Sequence, residues 1–136
     1  MRQFVESLQE RVGYEMARSK RYGIPLCVVL LGPLQEQSIE EDRVATIMKQ
    51  ECRRADVIHP LETNRVLAVL PHTPAQGALG FAKRMRENLA QEGFDLRVSV
   101  VPMGDQHTNS DALINQAMAT LRKASADEPV VLCSSS

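Results

Sequence analysis

Six consecutive apolar residues, Leu26-Cys27-Val28-Val29-Leu30-Leu31, constrain this chain more than any other stretch. A strand with one wet face alternates apolar and polar residues, so an unbroken run reads as a strand buried on both faces. Such a strand needs neighbours on its edges and helices over it. The flanking sequence supplies a helix before it over residues 2–22, where Val5, Leu8, Val12 and Met16 share one stripe and Gly23 stops the turn. After it, Ser38 and Glu41 have the spacing of a capping box and open a helix through Val44, Ile47, Met48 and Cys52.

A hairpin is expected next, from Val57-Ile58 through a turn at residues 59–64 to a strand at 66–70. Thr73, Pro74 and Gln76 suit the N-cap, N1 and N3 positions of a helix whose inner face carries Ala78, Phe81, Ala82, Met85 and Leu89. Gly93 ends it, and Leu96, Val98 and Val100 alternate as a strand. Asn109 or Ser110 caps a further helix bearing Leu113, Ile114, Ala117, Leu121 and Ala124, and residues 129–133 read as an edge strand that tolerates a proline at its start. The order α-β-α-β-β-α-β-α-β gives an α+β fold: a ferredoxin-like antiparallel sheet of about five strands with helices packed on its faces. Residues 1–136 form one domain, with an N-terminal helix at 1–22, a core at 23–133 and a short serine tail at 134–136.

Several function classes fall away on composition. The net charge is −1, which gives no global field for nucleic acid. The longest apolar run has six residues, far short of the ~20 that cross a bilayer, so a soluble cytoplasmic chain is expected. Cys27, Cys52 and Cys133 lack metal-ligand spacing and read as reduced thiols, two of them inside apolar runs. His59, His72 and His107 also lack ligand spacing and fall near turns, where solvated side chains are expected.

The stretch Asp56-Val57-Ile58-His59-Pro60-Leu61-Glu62-Thr63-Asn64-Arg65-Val66-Leu67-Ala68-Val69-Leu70-Pro71-His72-Thr73 resembles the heart of a GGDEF domain, the fold of diguanylate cyclases, where the phrase runs D-V-x-x-R-Y-G-G-D-E-F-A-V-L-L-P-x-T. Upstream, Ala17-Arg18-Ser19-Lys20-Arg21-Tyr22-Gly23-Ile24-Pro25-Leu26 is similar to that family's A-R-R-Y-G-x-P-L entry into its first strand. Downstream, Ala82-Lys83-Arg84-Met85-Arg86 resembles its A-E-R-I-R helix, and Leu113, Ile114, Ala117, Leu121 and Ala124 track its last helix. The order and spacing of these matches run through nearly the whole chain.

The departures fall on the catalytic positions that the resemblance implies. G-G-D-E-F becomes Glu62, Thr63, Asn64, Arg65 and Val66. The two glycines let the family's hairpin approach the substrate phosphates, which side chains obstruct. The acidic pair holds metal, and a cation at Arg65 repels one. The second metal-binding aspartate aligns with Gly32, and the lysine that contacts the triphosphate aligns with Ser125. Gly32 to Asp56 spans 25 residues inclusively, too few for the family's F-K-x-x-N-D-x-Y-G-H segment that grips the guanine. The sequence therefore points to a catalytically inactive, degenerate GGDEF domain with no metal and no cofactor.

A product-type site is still present in the pattern. Members of the family bind cyclic di-GMP through an R-x-x-D just before the hairpin, and here that position holds Arg53-Arg54-Ala55-Asp56, the only R-x-x-D in the chain. The family's additional arginine, from the next helix, aligns with Arg84. An arginine fork donates to O6 and N7 of guanine, and a carboxylate accepts from N1 and N2. The resemblance implies a cyclic di-GMP receptor, of the kind that in some members regulates exopolysaccharide synthesis or export and hence biofilm signalling. It would act through a protein partner or a homodimer, docked at most indirectly to a membrane complex. The alternative is a ligand-free interaction or dimerisation module in which Arg53 and Asp56 are a surface ion pair.

Overall fold

The computed structural model describes residues 7–35, 37–61 and 64–133. The expected helical residues 2–6, the turn residues Glu62 and Thr63, and the tail at 134–136 lie outside them. Among the described residues the chain runs α1 (Leu8–Tyr22), β1 (Leu26–Pro33), α2 (Glu41–Lys49), β2 (Val57–Leu61), β3 (Arg65–Pro71), α3 (Ala75–Gln91), β4 (Leu96–Pro102), α4 (Ser110–Leu121) and β5 (Val130–Leu132). The strands form one sheet in the order β2-β3-β1-β4-β5. Pairing is antiparallel except at the edge, where β5 runs parallel to β4.

β1 is the centre of the sheet, and its apolar run is buried on both faces as the sequence requires. Cys27, Val29 and Leu31 point to one side with Val66, Ala68, Leu70, Val98 and Val100, beneath Val44 and Met48 of α2 and Phe81, Met85 and Leu89 of α3. Leu26, Val28 and Leu30 point to the other with Leu67, Val69 and Val101, beneath Val12 and Met16 of α1 and Leu113, Ala117 and Leu121 of α4. Two thin cores thus share one sheet, which accounts for the alternation between adjacent β1 residues.

Gly23 and Asn109 act as the sequence suggests, whereas Ser7, expected inside the first helix, is extended and caps it. Ser7 accepts from the Glu10 amide while Glu10 accepts from the Ser7 amide, and Gly23 closes α1 in the left-handed region at φ 65°. Asn109 caps α4 by accepting from the Ala112 amide. Two expected caps do not form. Ser38 caps nothing: α2 starts after Glu40, and the Glu41 carboxylate accepts from the Asn64 amide at 3.0 Å instead of reaching back to the helix start. Tertiary contact with the hairpin turn replaces the local box. Thr73 does not cap α3 either, whose N-cap is Pro74 with no side-chain bond. The Thr73 hydroxyl instead donates to the Pro71 carbonyl at 2.8 Å. Cys52 lies beyond the end of α2, and β2 extends through His59 and Pro60 to Leu61, so the hairpin turn is tighter than residues 59–64.

Candidate functional site

Two regions of the sheet bring together polar residues from separate elements. The first is the tip of the β2–β3 hairpin beside the end of β1. Gly32 and Arg65 lie against each other there: a Cβ built on Gly32 would meet the Arg65 Cγ at 3.3 Å and the Leu121 side chain at 3.2 Å. A larger side chain at Gly32 is therefore crowded by the Arg65 stem and by α4. Asn64 takes the left-handed conformation at φ 62°, which asparagine adopts more readily than most residues. Its amide Oδ1 accepts from the Ile39 N–H at 3.4 Å. Ser125 serves a turn after α4, with its hydroxyl accepting from the Glu128 amide. Among the described residues, no three His, Cys, Asp or Glu side chains gather as a metal-ligand set.

The second region is a cleft of about 240 Å³ where the α2–β2 connection, the end of β3 and α3 meet. Arg53, Asp56 and Arg84 all line it, joined by Glu51, His72 and Thr73. The three residues picked out by their positions in the sequence thus share one concavity. Their arrangement follows from two local features. The chain turns after α2, with the Asp56 amide donating to the Arg53 carbonyl, which brings the two side chains together. On α3, Gly77, Phe81 and Arg84 fall on one face at helical spacing, so Arg84 projects from the same wall as the Phe81 ring, its Cζ 5.9 Å from the ring centroid.

Arg53 and Asp56 already hold each other. The Asp56 carboxylate accepts from the Arg53 backbone N–H at 2.9 Å, from Nε at 3.4 Å and from Nη2 at 3.2 Å. Nη2 also donates to the Pro71 carbonyl at 3.0 Å and to the Thr73 hydroxyl. The Asp56 side chain is only 2% exposed, while that of Arg53 is 57% exposed. The arginine is therefore pinned through Nε and Nη2, and its Nη1 group takes no part in these bonds. The ion pair expected of a ligand-free module is present, and it is also the scaffold that aims the guanidinium into the cleft.

Sequence reasoning missed Glu51, His72 and Thr73. Thr73 read as a helix cap because its hydroxyl sits one residue before a proline, and nothing local signals that a distant arginine claims it. His72 is exposed with φ 54°, a left-handed turn residue rather than a generic loop histidine. His107 is a clear departure from the expected solvated state: it is 2% exposed, its Nδ1 accepts from the Gly104 amide at 3.0 Å, and burial pushes its pKa below the ordinary value. His59 is half-buried in β2. Cys27 is buried, donates weakly to the Thr73 carbonyl, and has its thiol pKa pushed up to about 12 by desolvation. Cys133 is half-buried and packs against the α1/α4 half of the core. Arg18, Lys20 and Arg21 gather at the end of α1 on the opposite layer, where Arg18 pairs with the buried Glu15 at 3.3 Å.

The backbone resembles those of several known proteins. It superposes on the active GGEEF domain of a diguanylate cyclase from Vibrio cholerae with a TM-score of 0.77, at 15% identity, over 95% of this chain and 96% of that one. The chain has a GGDEF-like fold. The GGDEF domain of DgcB from Caulobacter crescentus, solved in complex with c-di-GMP, matches with a TM-score of 0.70 at 10% identity, over 90% of this chain and 86% of that one. PelD from Pseudomonas aeruginosa, residues 158 to its C-terminus, matches with a TM-score of 0.55 at 21% identity, over 85% of this chain and 48% of that one. No family model and no curated protein matches the sequence. No helix among the described residues is long and apolar enough to cross a membrane.

Proposed function

We propose that this GGDEF-like domain is a non-catalytic receptor that binds cyclic di-GMP in the cleft of Arg53, Asp56 and Arg84, needing neither metal nor cofactor. The observation that carries the reading is that these three residues, from two separate elements, line one cleft. The Nη1 group of Arg53 would donate to a guanine's O6 and N7, and Arg84 supplies a second cation to offset phosphate charge. At about 240 Å³ the cleft is smaller than the ~300–1,000 Å³ of pockets that enclose a drug-sized ligand. It fits one base, with the rest of the dinucleotide lying across the rim.

The non-catalytic part of the reading rests on the hairpin tip. Arg65 stands against Gly32, so the two positions at which cyclases hold metal present a cation and no carboxylate. Binding would shift the domain's contacts with a protein partner or a second copy in the cytoplasm, turning nucleotide concentration into output, with exopolysaccharide synthesis or export as the process governed. Titration calorimetry tests the receptor role: the unmutated chain takes up cyclic di-GMP, and Arg53→Ala loses most of the affinity. Equal binding by the two would remove the site assignment. Incubation with GTP and Mg²⁺ tests the other half, and formation of cyclic di-GMP would overturn the non-catalytic role.

A further inference from the structure

Asp56, the aspartate of the R-x-x-D pattern, is badly placed to read a base. Its carboxylate is 2% exposed and already accepts three bonds from Arg53. Reaching a ligand would require breaking that set and uncovering the side chain. A second carboxylate faces the same cleft. Glu51, just past the end of α2, is exposed and stands on the ridge between this cleft and a polar groove of about 380 Å³ between α2 and α3. Asn88 of α3 donates to its Oε2 at 2.6 Å, which fixes the carboxylate and leaves Oε1 available.

We propose that Glu51, held by Asn88, is the residue that reads the guanine, and that Asp56 is a positioning residue for Arg53. This rests on the receptor reading above. A guanine with O6 and N7 toward Arg53 turns its N1–H and N2–H₂ donors to another side, where an anionic acceptor is needed. Adenine presents an unprotonated N1 on that edge, and its lone pair faces a carboxylate unfavourably. Glu51 thus sets base selectivity, while Asp56 sets the aim of a guanidinium that contacts either base. The two roles separate in measurement, because an indirect residue alters affinity without altering which base is preferred.

The test is calorimetry of the unmutated chain, Glu51→Gln and Asp56→Asn with cyclic di-GMP and cyclic di-AMP. Glu51→Gln keeps the shape and the Asn88 neighbour but loses the charge. It is expected to weaken cyclic di-GMP binding by roughly 10-fold, the scale of one bidentate base contact, and to leave cyclic di-AMP binding unchanged or stronger. Asp56→Asn is expected to weaken both ligands by a similar factor, preserving their ratio. Thermal melting of each variant keeps misfolding apart from lost contacts. If Asp56→Asn erases the guanine preference while Glu51→Gln retains it, the assignment is reversed and the inference falls. A Glu51→Gln chain with unaltered selectivity also overturns it. If the unmutated chain binds no cyclic dinucleotide, the receptor reading fails and takes this inference with it.

Discussion

Replacing Asp56 with alanine removes three bonds at once from the turn that links α2 to β2, and the structure allows the cost to be worked out. The bond from the Arg53 amide, at 2.9 Å to a nearly buried carboxylate, is charge-assisted and contributes about 1.5 kcal/mol. The guanidinium contacts belong to a side chain more than half exposed, so solvent screening leaves them about 0.5 kcal/mol. The sum is about 2 kcal/mol, equivalent to roughly 6–8 °C in melting temperature for a domain of this size. Asp56→Asn retains an acceptor for the Arg53 amide and should lose about half as much. Urea denaturation followed by far-ultraviolet circular dichroism measures the difference, with the slope checked for constancy. A loss below about 0.5 kcal/mol for Asp56→Ala would mean that the pair is only a solvated surface contact, and the reasoning that it aims Arg53 would be refuted.

Other expectations are more local. His107 is buried and neutral, so the unfolded chain takes up a proton first: stability is full above about pH 6.5 and declines below it by at most about 1.4 kcal/mol per pH unit. Urea midpoints across that range measure the decline, and His107→Asn should flatten it. Cys27, with its thiol at about 12 and no exposed surface to speak of, should resist Ellman's reagent until the chain unfolds, which pulse labelling with mass spectrometry reports by residue. Gly23→Ala forces a Cβ into the left-handed cap at φ 65° and should cost about 1 kcal/mol by the same denaturation assay. Leu121→Ala empties a fully packed position over β1 and should cost about 2–5 kcal/mol in urea denaturation; a loss under about 1 kcal/mol would mean that Leu121 does not pack against β1.

Most of the fold was legible because its strongest signals are periodic. The run at β1, the stripes of α1, α3 and α4, and the hairpin each follow from burial of one face, and burial dominates the energetics. The caps at Gly23 and Asn109 are equally local; the Ser7–Glu10 box is local too, but the apolar stripe running back to Val5 hid it. The misreadings share a cause. Ser38 and Thr73 have sound local reasons to cap helices, but Glu41 is taken by Asn64, 23 residues away, and Thr73 by Arg53, 20 residues away, besides its own bond to Pro71. No window of sequence displays such competition. For the same reason, order along the chain suggested Arg53, Asp56 and Arg84 as candidates, whereas Glu51 became visible only through the wall it shares with them. His107 looked like a loop histidine because burial of a single residue beside a turn leaves no period to detect.

Amide chemical shifts of the unmutated chain, recorded during titration with cyclic di-GMP, separate the two ends of the sheet in a single measurement. The receptor account expects perturbations centred on Glu51, Arg53, His72 and Thr73 and along α3 at Gly77, Phe81 and Arg84, with the hairpin tip at Asn64 and Arg65 unmoved. Shifts confined to Gly32, Asn64 and Arg65, or no shifts at saturating nucleotide, would contradict it.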